Sequence, residues 1–205
     1  MDATLSEVIL ASGNPGKLEE LQAMLADTGL HLRSQGELQL TQAEETGPTF
    51  VENALLKARH AARLSGLPAL ADDSGLVVDA LQGRPGIHSA RFAGEQADDE
   101  DNNRALLEAL AEVPAPQRTA RFHCALVLLR HADDPAPLIC QGQWEGYILS
   151  GARGEGGFGY DPLFWVPEMD ATAAELEPEC KHRISHRGLA MKALRRALVA
   201  GAAGD

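Results

Sequence analysis

The chain has 205 residues, 44% of them hydrophobic, which is enough to bury a core as one large domain or two small lobes. Its formal charge of -12 argues against a nucleic-acid polymer or an anionic membrane as partner, since both require a broad basic face. No apolar run approaches the ~20 residues of a transmembrane helix, and Met1-Asp2-Ala3-Thr4 leads into a strand without a basic leader, so a cytoplasmic protein is expected. Cys124, Cys140 and Cys180 are odd in number and widely spaced, and read as thiols rather than as a disulfide or zinc site.

Val8-Ile9-Leu10-Ala11 is an apolar strand, and Leu18 to Leu25 an amphipathic helix. Between them, Ser12-Gly13-Asn14-Pro15-Gly16-Lys17 forms a glycine loop with a lysine at a helix start, where bared backbone N–H groups suit an anion, phosphate above all. An ordinary strand-to-helix turn would use Gly16 for its backbone angles alone. The loop is not a Walker A sequence: in G-x-x-x-x-G-K-[ST], the first glycine falls on Ala11 and the metal-binding hydroxyl on Leu18. A metal bound with phosphate therefore needs other ligands.

The first helix is expected to end near Asp27-Thr28-Gly29, followed by a short strand over Leu30 to Arg33. A second helix opens at Thr49, with Glu52 completing a capping box and Gly66 closing it. Its apolar stripe is Val51, Ala54, Leu55, Ala58 and Ala62, which leaves Asn53 and Lys57 on another face. Pro68 to Ala71 reads as a short strand ending in the acid pair Asp72-Asp73, with a further apolar run from Leu76 to Leu81. Gly83 to Gly86 is a turn, and Ile87 to Gly94 a loop or irregular strand. The acidic stretch Glu95 to Asp101 reads as a solvated linker leading into a helix through Leu106, Leu107 and Leu110 to Val113-Pro114.

Thr119 to Leu129 is a long strand, with Phe122, Cys124, Leu126 and Leu128 on one side and Val127 and Leu129 on the other. An antiparallel hairpin follows through Leu138 to Leu149, then a glycine cluster from Gly151 to Pro162, a strand over Leu163 to Val166, and a last helix from about Gly188 to Val199. Helices and strands alternate before the hairpin, which predicts an α/β fold with a mixed sheet.

Hard Mg²⁺ takes oxygen ligands, commonly one or two carboxylates with waters and substrate phosphates. A loop acid from Glu44-Glu45 and an acid from Asp72-Asp73 would supply them, although a solvated loop pair and a capping turn are the plainer readings. Adjacent strand residues face opposite ways, so one of Asp72 and Asp73 at most should face a given pocket. In Lys181 to Arg187, Ser185 is an N-cap candidate that puts His186 and Arg187 in a first helical turn, where a bound anion would offset the unfavourable macrodipole. In Gly156-Gly157-Phe158-Gly159-Tyr160-Asp161, Phe158 or Tyr160 could stack on a base while the glycines admit close backbone approach. Together these clusters describe a nucleoside phosphate bound with Mg²⁺.

Six blocks in order carry a resemblance across nearly the whole chain: Ser12 to Lys17; Glu44 to Gly47 with Thr49 to Ala54; Ala71 to Leu76; Gly83 to Arg91; Gly156 to Pro162; and Ile184 to Gly188. The chain resembles the inosine/xanthosine triphosphate pyrophosphatases. The resemblance implies a single α/β domain of two lobes spanning residues 1–205, a mixed twisted sheet with flanking helices around a central cleft, and a homodimer. It implies Mg²⁺-dependent hydrolysis of dITP, ITP and XTP to the monophosphate and pyrophosphate. By motif, Ser12, Gly13, Asn14, Pro15, Gly16 and Lys17 would hold substrate, with Lys17 on the phosphates. Asp73 would be general base and metal ligand, Glu44 the second metal-binding acid, and Ser74 a substrate contact. Phe158, Gly159, Tyr160, Asp161, Lys181, His186 and Arg187 would complete the nucleotide site, and Lys57 joins them from its helix face. The nearest rival, a Maf-type pyrophosphatase, would carry Ser-Pro-Arg in the opening loop; a non-catalytic nucleotide sensor would not need Glu44 and Asp73.

Overall fold

The computed structural model describes residues 7–12, 15–25 and 30–202. Among them, seven strands form a mixed sheet in the order β2-β1-β3-β4-β5-β6-β7. The strands are β1 (Glu7–Ala11), β2 (His31–Ser34), β3 (Ala69–Val78), β4 (Thr119–Leu129), β5 (Leu138–Ile148), β6 (Phe164–Val166) and β7 (Ala171–Thr172). The helices are α1 (Pro15–Leu25), α2 (Phe50–Ser65), α3 (Asp99–Ala109), α4 (Pro178–Ile184) and α5 (His186–Ala202). β1 pairs in parallel with β2 and β3, whereas β5–β6 and β6–β7 are antiparallel. The expected end of the first helix at Asp27-Thr28-Gly29 lies outside the described residues.

Two compact units divide the chain. Unit 1 comprises residues 1–73, 124–142 and 187–205, and unit 2 residues 74–123 and 143–186; β3, β4 and β5 each contribute to both. In unit 1, Val8, Leu10, Leu70, Cys124, Leu126 and Leu128 pack with Leu21 and Leu25 of α1 and with Ala190, Met191 and Leu194 of α5. The alternate strand residues Ile9, Ala11, Ala69, Ala71, Ala125, Val127 and Leu129 pack with the alanines of α2, whose small side chains let the helix sit close to the strands. In unit 2, Phe122, Trp144 and Phe164 anchor a core that takes in Leu106 and Leu110.

Local signals account for much of this. Thr49 is extended and its side chain accepts the Glu52 N–H, while its hydroxyl donates to the Glu52 carboxylate at 2.6 Å. Gly66 closes α2 at φ +70 and returns its N–H to the Ala62 carbonyl. β4 has the expected limits.

Several expectations are corrected. β3 does not stop at Ala71 but runs through Asp72 and Asp73 to Val78, because those carboxylates have partners within the fold. Where a loop or irregular strand is expected, Gly86–Arg91 is a 3-10 segment, held by Ser89, whose hydroxyl donates to the Gly86 carbonyl. α5 begins at His186, directly after Ser185, as the N-cap reading expects and two residues before the approximate start at Gly188, whereas α3 ends at Ala109 rather than at Val113.

The turn after β4 offers a pH test. Asp134, 1% exposed, accepts hydrogen bonds from the Arg130 side chain and from the backbone N–H groups of Arg130 and Ala136. These bonds, the Arg130 side chain's first, hold its carboxyl well below the usual range. A depressed folded-state value stabilises the fold above the unfolded value of about 4 and loses that contribution as pH falls. Asp134→Asn is therefore expected to lower Tm at pH 7, with the gap to wild type closing as acidity increases below about pH 4.

Candidate active site

In unit 1, alternation along β3 sends the two aspartates to opposite faces. Asp73 lies on the α2 side, where its Oδ1 accepts from Lys57 Nζ at 2.5 Å. Glu45, in the loop before α2, places Oε1 3.0 Å from the same nitrogen. Two carboxylates thus converge on one ammonium, with Asp73 and Lys57 mostly buried. Burial alone would lower the Lys57 pKa, but the charges of Asp73 and Glu45 outweigh it and hold the group above its ordinary value.

The loop that delivers Glu45 is tied down by Asn53. Its buried Oδ1 accepts the Gly47 N–H at 2.8 Å. A Cβ on Gly47 would stand 2.7 Å from Glu52 Cβ and 2.8 Å from Asn53 Oδ1, so the loop and α2 are in direct contact there. Asn53→Ala strands that buried N–H, and is expected to destabilise the fold by about 1–3 kcal/mol and to weaken activity through Glu45. Urea unfolding and steady-state kinetics measure the two effects.

Asp72 lies on the other face. Its Oδ2 accepts from Arg187 Nε at 3.2 Å and from the Cys124 thiol at 3.2 Å. Arg187 Nη1 also donates to Glu20 of α1. Arg187 is 2% exposed; burial opposes its charge, but Asp72 and Glu20 more than compensate and raise its pKa. The anion expected at the start of α5 is thus supplied within the chain, by Asp72 and Glu20.

In unit 2, Asp161 organises the glycine loop. Its Oδ2 accepts the Phe158 N–H at 2.9 Å and Lys181 Nζ at 2.7 Å. Gly157 has φ +73, and a Cβ there would overlap that carboxylate. Lys181 Nζ stands 5.0 Å from the centre of the half-buried Phe158 ring. Tyr160 is buried in the core and its hydroxyl donates to the Ser89 carbonyl at 2.8 Å; burial, then the Asp99 charge, raises its pKa. Of the two aromatics expected to stack, Tyr160 is therefore committed to the fold. His186 stacks on Phe122 with centroids 4.8 Å apart and planes 14° from parallel.

The structure brings Asp73, Lys57 and Glu45 together in one cluster, and Asp161, Lys181 and Phe158 in another. Glu44 is exposed, and it is its neighbour Glu45 that reaches Lys57. Ser12 and Ser74 are half-buried, and the backbone of Pro15, Gly16 and Lys17 opens α1. Gly13, Asn14 and the side chains of Pro15 and Lys17 lie outside the described residues. Glu20, Ser89, Asp99 and Asn103 have roles that the sequence reading missed; each acts on a partner far along the chain.

A profile of the Ham1 family matches residues 8–197. The chain belongs to the Ham1 family. It is 59% identical over 194 residues to a dITP/XTP pyrophosphatase of Shigella flexneri, covering 95% of this chain and 98% of that protein. A dITP/XTP pyrophosphatase of Vibrio cholerae is 55% identical over 194 residues, with coverage of 95% and 97%. The solved structure of a HAM1 protein from Coxiella burnetii aligns with a TM-score of 0.88 at 51% identity, covering 94% of this chain and 98% of that one. Both Ham1 fold and sequence thus extend over nearly all of the chain.

Proposed function

We propose that this Ham1 protein is a nucleoside triphosphate pyrophosphatase that converts dITP, ITP and XTP to the monophosphate and pyrophosphate. The observation that carries the reading is its 55–59% identity, over 95% of its length, to proteins named dITP/XTP pyrophosphatase. The clusters support it chemically. Asp73 and Glu45 already focus two anionic oxygens on one cation, Lys57, which is the donor chemistry that Mg²⁺ takes. Among the described residues no group of three or more His, Cys, Asp or Glu could hold a metal, so substrate phosphate oxygens would complete the shell. Asp73, with Glu45 or Glu44, would hold Mg²⁺. When bound, Mg²⁺ would neutralise charge on the phosphates and lower the barrier to their displacement.

The chain's own residues do the rest. Asp73 accepts a hydrogen bond from the attacking water and orients it toward the α-phosphorus. Ion-paired with Lys57, Asp73 acts as a water positioner rather than as the proton acceptor. Lys17, Lys57 and Lys181 offset charge on the departing pyrophosphate. Phe158 stacks on the purine and Ser74 touches substrate. The backbone N–H groups of Phe158 and Gly159 and the Arg187 guanidinium are engaged within the protein, so we assign recognition of the 6-oxo group to His186, held flat against Phe122.

A homodimer acting in the cytoplasm belongs to the same reading. Incubation with dITP, XTP and ATP is expected to give dIMP and XMP with pyrophosphate, little AMP, and no turnover once EDTA removes Mg²⁺. A diphosphate product with orthophosphate, or equal use of ATP, contradicts it.

A further inference from the structure

The amino-terminal turn of α3 reads from sequence as solvated acid. In the structure, Asp98 caps the helix with Asp101, and Asp99 reaches away from it to the glycine loop. Asp99 Oδ2 accepts the Gly159 N–H at 2.6 Å, and Asn103 Nδ2 donates to the Gly159 carbonyl at 2.9 Å and to the Asp99 carbonyl at 2.8 Å. Both backbone groups of one glycine are thus held by side chains one helical turn apart. Asn102 does the same for the preceding segment: its Oδ1 accepts the Ala93 N–H and its Nδ2 donates to the Ala90 carbonyl.

Gly159 has φ +62, and nothing lies within 4 Å of where its Cβ would stand. Packing on that side does not fix it; these two hydrogen bonds do. Its neighbours Phe158 and Tyr160 are held by other means, Phe158 through Asp161 and Tyr160 through Ser89. The donor half of Asn103 is used twice while its buried Oδ1 makes no hydrogen bond, so it is the amide nitrogen that the site requires.

We propose that Asp99 and Asn103 are positioning residues for nucleoside recognition, clamping Gly159 so that the Phe158 ring is presented to the purine in a fixed orientation. This rests on the pyrophosphatase reading and assigns α3 a part in it. Both act through Gly159, next to Phe158, so their effect is assigned to the nucleoside end of the substrate.

Asn103→Leu is close in size and removes the donor without adding a charge. It is expected to raise KM for ITP by about tenfold, the loss of one well-made hydrogen bond, with kcat changed by less than about twofold. Calorimetry should show weaker IMP binding and unaltered pyrophosphate binding. Asp99→Ala should behave likewise, and Asp99→Asn, which keeps an oxygen acceptor, should recover part of the loss. The Asp99 pair provides the same comparison if Asn103→Leu does not fold. Unchanged KM and IMP affinity, or equal weakening of IMP and pyrophosphate, overturns the inference. A wild-type protein that neither turns over ITP nor binds IMP removes the underlying functional reading instead.

Discussion

Replacing Arg187 by methionine is expected to destabilise the protein by about 3–5 kcal/mol, because it leaves Asp72 buried with its positive partner gone. The guanidinium joins β3, through Asp72, to α1, through Glu20, so its loss also loosens the helix that carries the Ser12 to Lys17 loop. Replacing all three charges together, Glu20→Met, Asp72→Leu and Arg187→Met, removes the uncompensated charge and should restore most of the stability. Chemical denaturation of the single and triple variants tests this. A single variant with native stability but a raised KM would show Arg187 to be a substrate contact, the role implied by the family resemblance, and would contradict its structural assignment.

Asp73→Asn is expected to reduce kcat by about 10²–10⁴-fold, the range for removing a group that positions and activates a nucleophile. The amide keeps the shape but removes the anionic oxygen paired with Lys57, leaving Glu45 as the ammonium's partner. Stability should fall by less than for Arg187→Met, since Lys57 keeps one carboxylate within 3.0 Å. Lys57→Met alone and combined with Asp73→Asn completes a double-mutant cycle. Strong coupling in kcat marks a functional pair; additive losses would mean that the two act independently, and an unchanged kcat for Lys57→Met would confine Lys57 to stabilising the loop. Kinetics and thermal unfolding on the same preparations separate the two.

Sequence alone revealed those parts whose causes are local. The Thr49 cap and the Gly66 terminus follow from neighbouring residues, and the alternation of β4 follows from burial on both faces. The opposite facing of Asp72 and Asp73 needs only the period of a strand, and it places one beside Arg187 and the other beside Lys57.

What sequence concealed depends on distant partners. Two adjacent acids looked like a strand end, yet β3 continues because Arg187, 115 residues away, and Lys57, 16 away, neutralise them. A cation at the start of α5 pointed correctly to an anion, but composition cannot tell a ligand phosphate from the chain's own carboxylates. Asp99 and Asn103 lie 60 and 56 residues from Gly159, and nothing in an acidic run reveals that two of its members bind a glycine backbone. Glu44 and Glu45 are indistinguishable by type; the path of the loop, fixed at Gly47 by Asn53, turns Glu45 toward Lys57.

The central claim is that water attacks the α-phosphorus of a purine nucleoside triphosphate and that pyrophosphate leaves. Turnover of ITP with Mg²⁺ in ¹⁸O-water, followed by mass spectrometry of both products, tests it most directly. A single ¹⁸O in IMP with unlabelled pyrophosphate is the expected result. Label in pyrophosphate, or formation of IDP with labelled orthophosphate, would place the attack at another phosphorus and contradict the account.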